Sequence, residues 1–328
     1  MPEPLVSVVI ITYNHAPFIA QAIEGILRQE TTFPFELVIG EDCSTDGTRD
    51  IVLRYQEEHP GVISVVTSGQ NVGMKTNSYR TAKASRGKYL AFCEGDDYWH
   101  HPGKLQKQID YLESHPECGL LFADCDVFHN RSAKLVRGYN GRNGFSSPTT
   151  LTIEDFIDGR MMKWTCTAVI RKSLYEKVVS EDPYLHQSGE LPLGDLQLWA
   201  EVASMSEVTY IPESMATYRV LDQSASRSED AVKSSAFGKS AAELRLYLCD
   251  KYKLSEELRK KCQGFWYYHS LRLACYSRDA NLADDLRRKG KAFSLREWLW
   301  YLGAKHLMFY HLCRTEALCS KWLSRDLK

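Results

Sequence analysis

The chain has no run approaching the ~20 consecutive apolar residues of a bilayer-spanning helix, so the sequence predicts no membrane crossing. It also lacks the glycine patterns that cradle phosphates. Neither G-x-G-x-x-G after the first strand-like segment nor G-x-x-x-x-G-K-[ST] anywhere is present, which removes the main support for a dinucleotide fold or a P-loop. Charge of one sign is missing too. Forty-one Lys and Arg stand against 42 Asp and Glu, for a formal net charge of -1, with no basic stripe to attract a polyanion, so a nucleic-acid binder is excluded. The 10 cysteines include no C-x-x-C pair, against zinc and thioredoxin chemistry. With no secretory leader pattern, the thiols are expected to be reduced and the protein cytoplasmic.

What is there is a globular composition, 44% hydrophobic and 25% charged over 328 residues, enough for one large domain and an appendage. The most informative stretch is Tyr89 to Trp99, an apolar run ending in Glu94-Gly95-Asp96-Asp97. A β-branched run, Val6 to Thr12, reads as a buried parallel strand and leads into Tyr13-Asn14-His15. Between Phe18 and Gln29, apolar Ile19, Ala22, Ile23, Ile26 and Leu27 recur on one helical face. Phe35 to Ile39 is a second strand, running into the capping-rich loop 40–48. Val62 to Thr67, Asn77 to Ser85, Tyr89 to Glu94 and Lys104 to Leu112 continue the alternation of strand and helix. That pattern predicts a doubly wound α/β sheet with right-handed crossovers.

In such a sheet the loops after three strands, bearing Tyr13, Asp42 and Glu94 to Asp97, open on one edge, where these folds bind ligands. Carboxylates this close repel unless a cation bridges them, and Mg²⁺ or Mn²⁺ accepts one or two carboxylates plus substrate phosphate. The other reading of Gly95-Asp96-Asp97 is a polar turn. On the first reading Tyr13 stacks on a base, Asp42 accepts hydrogen bonds from base or ribose, and the acidic cluster holds metal and diphosphate.

These segments, in this order over about residues 4–130 and less clearly to about 226, resemble glycosyltransferase family 2, the inverting group with the GT-A fold. Val6 to Asn14 resembles the family's opening strand, Glu36 to Thr48 its acidic nucleotide loop, Asn71-Val72-Gly73 and Asn77 the segment before the metal motif, and Tyr89 to Asp97 the strand with the D-x-D signature. Two departures are evident: Ile11 replaces the usual Pro, and Glu94 replaces the first Asp. The resemblance implies nucleotide-sugar contacts at Tyr13, Asp42, Asn71, Asn77, Glu94, Asp96 and Asp97. It makes Asp96 the principal metal ligand, with Glu94 as a second ligand and Asp97 as its support. It further implies a general base at Asp195, in Leu191 to Trp199, where the alternative role is capping a helix. Tyr218-Arg219, followed by Ser224 and Ser226, resembles a segment that folds over the donor. Arg219, with Lys75, Arg80 and Lys104, is a candidate to assist the leaving diphosphate, and its alternative role is a solvated or salt-bridged Arg.

The expected architecture is therefore a GT-A domain over 1–227, with a nucleotide-sugar half (4–130) and an acceptor half (131–227), followed by an α-helical region over 228–328. Phe265 to Tyr268 and Trp298 to Leu302, interleaved with Arg287, Arg288, Lys289, Lys291, Arg296, Lys305 and Arg314, suit either a membrane interface or packing within the protein or a homo-oligomer. The expected activity is metal-dependent transfer of a sugar, most simply from UDP, to a hydroxyl of a glycan or lipid-linked acceptor in bacterial surface-polysaccharide synthesis, at the cytoplasmic face of the inner membrane. A nucleotidyltransferase and a catalytically silent nucleotide-sugar-binding scaffold are the rival readings.

Overall fold

The computed structural model describes residues 3–182, 185–186, 194–222, 230–289 and 294–314. Two compact units divide the chain, Met1–Leu221 and Asp222–Lys328. The first is built on a 10-stranded sheet of β1 (Val6–Thr12), β2 (Phe35–Glu41), β3 (Ile63–Val66), β4 (Tyr89–Glu94), β5 (Tyr98–Trp99), β6 (Cys118–His129), β7 (Lys134–Val136), β8 (Thr149–Thr150), β9 (Val169–Arg171) and β10 (Glu207–Val220). Their order is β3-β2-β1-β4-β9-β6-β10-β5, with β7 beside β6 and β8 beside β10.

The sheet is mostly parallel. β1 runs parallel to β2 and β4, β2 to β3, and β6 to β10. The short β9 is antiparallel to both β4 and β6, so β6 and β10 share the direction of β1 and β4. The five long strands β1, β2, β4, β6 and β10 therefore end on one edge. The β-branched run of β1 is buried along almost its whole length, as a strand covered on both faces requires. The helix Ile19–Leu27 presents Ile19, Ala22, Ile23 and Ile26 to the core at helical spacing, and all four are fully enclosed. Gly25 in that helix lies against β5, where a Cβ would come 2.5 Å from the Trp99 carbonyl oxygen. This close backbone approach seats β5, just after the Glu94 turn, against that helix.

Thr165–Thr167 form a single 3₁₀ turn that leads into the strand beginning at Val169. The helix expected from Asn77 starts earlier, at Met74, after Gly73 at φ +86°.

The second unit is helical: Ala231–Lys251, Glu256–Ser277, Ala280–Arg288 and Leu295–Lys305. Asp230, Ser255, Asp279 and Ser294 cap these helices by accepting backbone N–H groups, Ser294 within a capping box with Glu297. Its core gathers Tyr267, Leu271, Cys275, Leu286, Trp300 and Tyr301. Trp300, 3% exposed, thus packs inside the unit, as do most of the aromatics that made the segment conspicuous. Among the described residues no helix is long and apolar enough to cross a membrane.

Candidate functional site

The strand-end loops that the sequence placed together do meet, and they are tied by hydrogen bonds. Asn14 adopts a left-handed φ of +56°, tolerable for Asn, and so aims both its backbone and its side chain at the loop after β2. Its N–H donates to Ser44 Oγ at 3.0 Å and its Oδ1 accepts from the Thr45 N–H at 2.8 Å. The His15 N–H donates to Thr48 Oγ1 and the Ala16 N–H to Asp46 Oδ2. Tyr13 stands on the rim of this double loop, 44% exposed, its ring free of the core.

Asp42, 2% exposed, accepts backbone N–H groups from Val72 (2.8 Å) and Gly73 (2.9 Å), and Arg80 lies 3.8 Å away. The Ser68 hydroxyl also donates to Oδ1, at 3.4 Å, so it is Oδ2 that keeps a further acceptor site. Asn71 is exposed beside it and accepts from the Gly73 N–H. Asn77 is different: it is buried, its amide donates to the Gly40 carbonyl, and its Oδ1 accepts from Arg80 Nε. Both ends of its side chain thus brace the second strand from below. Arg80 is likewise committed to the Thr67 and Glu41 carbonyls. Lys104, another candidate cation, is fully buried, bonded to Gln108 Oε1 at 2.7 Å with its ammonium 4.0 Å from the Trp99 ring centroid. It packs inside the domain, and burial pulls its pKa down to about 7.

The acidic motif is the centre of the edge. Burial, then the charges of Asp96 and Asp195, push the Glu94 carboxyl up to about 8, with Asp97 near enough to share a hydrogen bond. Its Oε2 is enclosed and has no hydrogen-bond partner. Asp97 is 2% exposed and held well above the usual carboxylate range, by burial first and then by Cys166, Glu94 and Asp96. One of its oxygens accepts the Arg219 N–H at 2.8 Å. Asp96 is half-buried and Asp195 exposed, the first residue of the helix Asp195–Met205. One Asp195 oxygen accepts from the Leu196 N–H. Gly194 lies beside the start of the Met74–Ala84 helix, where a Cβ would sit 3.9 Å from Lys75 Cγ. Lys75 therefore lies close to the start of the helix that bears Asp195.

Arg219 is brought in by β10, whose Ala216 and Thr217 pair with Trp99 and Tyr98. It is only 7% exposed, against the reading as a solvated Arg. Its Nε donates to the Asp96 carbonyl (2.8 Å) and its Nη2 to Gln21 Oε1 (2.7 Å), while its guanidinium lies 4.8 Å from the Phe18 ring centroid. It thus clamps the motif's backbone rather than reaching into the opening. Ser224 and Ser226, with Leu191 to Leu193 and Lys291, lie outside the described residues.

The residue chemistry fits a divalent cation. An enclosed carboxylate oxygen without a partner, beside two further carboxylates that raise its pKa, is a donor set lacking positive charge. Among the described residues, no group of three His, Cys, Asp or Glu side chains is spaced to hold an ion alone. An ion held here would complete its shell with water or other non-protein oxygens, as Mg²⁺ commonly does.

Two residues went unremarked in the sequence: Thr12 Oγ1 and His15 Nδ1 are also enclosed without a partner. A Cβ on Gly95 would come within 2.6 Å of the first and 2.7 Å of the second. The motif's middle position is thus closed to any side chain. Their place at the end of the first strand was the only available signal.

The description "Glycosyl transferase family 2" matches residues 7–179. An uncharacterised protein of Mycobacterium tuberculosis is 32% identical over 213 residues, 65% of this chain and 58% of that protein; the match thus spans little more than half of that relative. A putative teichuronic acid biosynthesis glycosyltransferase, TuaG of Bacillus subtilis, is 26% identical over 231 residues, 68% of this chain and 82% of its own. Among solved structures, S. aureus TarS in complex with UDP-GlcNAc superposes with a TM-score of 0.58 at 17% identity, covering 91% of this chain and 79% of that one, which shows the shared GT-A fold. With a family match over more than half its length, on the sheet whose edge carries Tyr13, Asp42 and the Glu94 to Asp97 motif, the chain belongs to glycosyl transferase family 2.

Proposed function

We propose that the protein transfers a sugar, with inversion, from a nucleoside diphosphate to a hydroxyl of a surface-polysaccharide acceptor, and that UDP is the nucleotide. The carrying observation is the meeting of Glu94, Asp96, Asp97 and Asp195 at one end of the sheet, with an enclosed Glu94 oxygen unpartnered. In this reading Tyr13 stacks on the base, and Asp42 and Asn71 face the nucleoside with the acceptor sites the loop leaves them. Asp96 and Glu94 would hold Mn²⁺ or Mg²⁺ together with the diphosphate. Such an ion, when bound, offsets the charge that builds on the departing diphosphate. Asp97, fixed by Arg219, keeps Asp96 in place.

Asp195 acts as the general base. It is exposed at the first position of its helix, with one oxygen on the Leu196 N–H and the other open to an acceptor proton. As the acceptor oxygen attacks the anomeric carbon, its proton passes to Asp195, and the bond between sugar and diphosphate breaks on the opposite face. The polysaccharide setting is supported by the TuaG relative, and the UDP assignment by the shared fold with TarS, bound to UDP-GlcNAc. Leu307, Met308 and Leu312, each more than half exposed, support contact of the helical unit with a lipid surface that carries the acceptor.

The test is Asp195→Asn. The expected result is transfer reduced roughly 10²–10⁴-fold with metal-dependent UDP binding retained. Undiminished turnover removes Asp195 from the base role.

A further inference from the structure

The donor side of the edge is acidic, whereas the neighbouring side is the opposite. From Val127 to Ile153 the chain contains no Asp or Glu and carries Arg131, Lys134, Arg137 and Arg142, all exposed. Nothing in a near-neutral composition requires such a segregation. The segment leaves the sheet where β6 ends, on the edge where β4 and β10 also end, and returns briefly as β7.

It is also anchored. Two buried carboxylates of β6 seize the backbone after β7: Asp126 Oδ1 accepts the Gly138 N–H at 2.9 Å, and Asp124 accepts those of Asn140 at 2.9 Å and Gly141 at 3.0 Å. Gly138 turns there with φ +57°. The Asn140 side chain exchanges two hydrogen bonds with the Met162 backbone. Arg142 Nε donates to the Arg137 carbonyl at 2.7 Å, so the two guanidinium-bearing residues are held side by side. Among the described residues no carboxylate lies within ion-pair distance of Arg131, Arg137 or Arg142. Positive charge on a fixed loop without an internal counter-charge is the arrangement that recognises an anion.

The anchored loop adjoins an aromatic face. Tyr139 meets Trp164 edge-on at 5.6 Å, and Trp164 meets Tyr218 at 4.7 Å, next to the Arg219 that clamps the acidic motif. Trp164 is 7% exposed, yet its Nε1–H has no partner. That N–H is enclosed, so Trp164 backs the face from the core, while the half-buried Tyr139 and Tyr218 rings present the aromatic edge that suits a sugar ring, and the arginines beside it suit a phosphate attached to that sugar.

We propose that the acid-free segment 127–153, through Arg137 and Arg142 beside Tyr139 and Trp164, is the acceptor-recognition face, and that the acceptor it takes carries a phosphate next to the sugar presenting the hydroxyl. This rests on the transfer reaction proposed above. The phosphate belongs either to a lipid diphosphate or to a phosphodiester polymer, and both present the same anion to the two arginines.

The experiment measures binding of three fluorescent probes to the full chain with saturating UDP and Mn²⁺, which occupy the donor side. The probes are an alkyl-diphosphate GlcNAc, a glycerol-phosphate oligomer and a neutral alkyl GlcNAc. A phosphate-bearing probe is expected to bind at least tenfold more tightly than the neutral glycoside, with affinity falling as salt is raised. Whichever of the two phosphate probes binds more tightly identifies the source. Arg137→Glu with Arg142→Glu, both at exposed positions, is expected to cost that probe at least tenfold while the UDP Kd stays unchanged. Equal binding of the neutral glycoside, undiminished phosphate-probe binding by the double variant, or no binding of either phosphate probe overturns the proposal. Failure of the wild-type chain to bind UDP with Mn²⁺, read in a separate titration, overturns the donor assignment instead.

Discussion

Glu94→Gln tests the electrostatics of the site most directly, because it removes one charge and leaves the shape. In the metal-free protein the Glu94 carboxyl is raised from an ordinary 4.5 to about 8, through burial and the repulsion of Asp96 and Asp195. At about 1.4 kcal/mol per pH unit, that difference sets a ceiling of about 5 kcal/mol. Asp195 is exposed and Asp96 half-buried, so solvent screens much of the repulsion, and a gain of roughly 1–2 kcal/mol is expected on neutralisation. Because the folded-state value lies above the unfolded one, the contribution of this carboxyl to stability is intact below about pH 4.5 and is lost as pH rises through about 8. The Gln variant lacks this loss. In chelator its melting temperature should match that of the wild type at pH 4.5 and exceed it by roughly 3–6 °C at pH 8.5. Added Mn²⁺ and UDP should reverse the ranking, stabilising the wild type and leaving the variant behind. Scanning calorimetry across that pH range reads both effects. A variant no more stable than the wild type at pH 8.5 in chelator, or one with the same pH slope, refutes the assignment of repulsion to Glu94.

Arg219→Met should cost about 3–4 kcal/mol in urea unfolding, through two lost charge-assisted hydrogen bonds to Asp96 and Gln21, and Arg219→Lys should recover little, since one ammonium does not span both acceptors. Gly95→Ala should destabilise by about 1–3 kcal/mol, because its Cβ meets Thr12 Oγ1 and His15 Nδ1, with part of the loss recovered by adding His15→Ala; a neutral Gly95→Ala means the loop moves freely. Leu307→Ser, Met308→Ser and Leu312→Ser together should abolish flotation with anionic liposomes, and absence of flotation in the parent removes the lipid contact. Trp300 is unsuitable for that test because it is a core residue of the helical unit.

The site itself was legible to the extent that it is local. The strand-end positions of Tyr13, Asp42 and Glu94 to Asp97 follow from β-branched runs that must be buried on both faces, and from crossovers that place those ends on one edge. The helix of Ile19–Leu27 was equally plain, since its apolar spacing admits only one inward face. Where the sequence offered two readings of one residue, it could not choose. Asn77, expected as a ligand contact, is a strut under Gly40; Arg219, expected either beside the diphosphate or as a solvated or salt-bridged Arg, is a buried clamp on the motif's backbone. The chemistry of an amide or a guanidinium is the same in either role, and only its partners differ.

The sequence by itself determined the alternation of elements, the acidic strand end and the helical character of the C-terminal region, because hydrophobic period and capping residues act over a few neighbours. The tertiary structure alone decided the rest. It put the antiparallel β9 between β4 and β6, carried Arg219 to Gln21 across a separation of 198 residues, and set Asp195 near enough to Glu94 to raise its pKa. Strand order and register depend on pairings between distant segments, and a strand's own pattern specifies which face is buried without naming the neighbour it pairs with. The raised pKa of Glu94 has the same origin: Asp96 is a sequence neighbour, but the enclosure that is its largest cause, and the approach of Asp195, exist only once the sheet has closed around it.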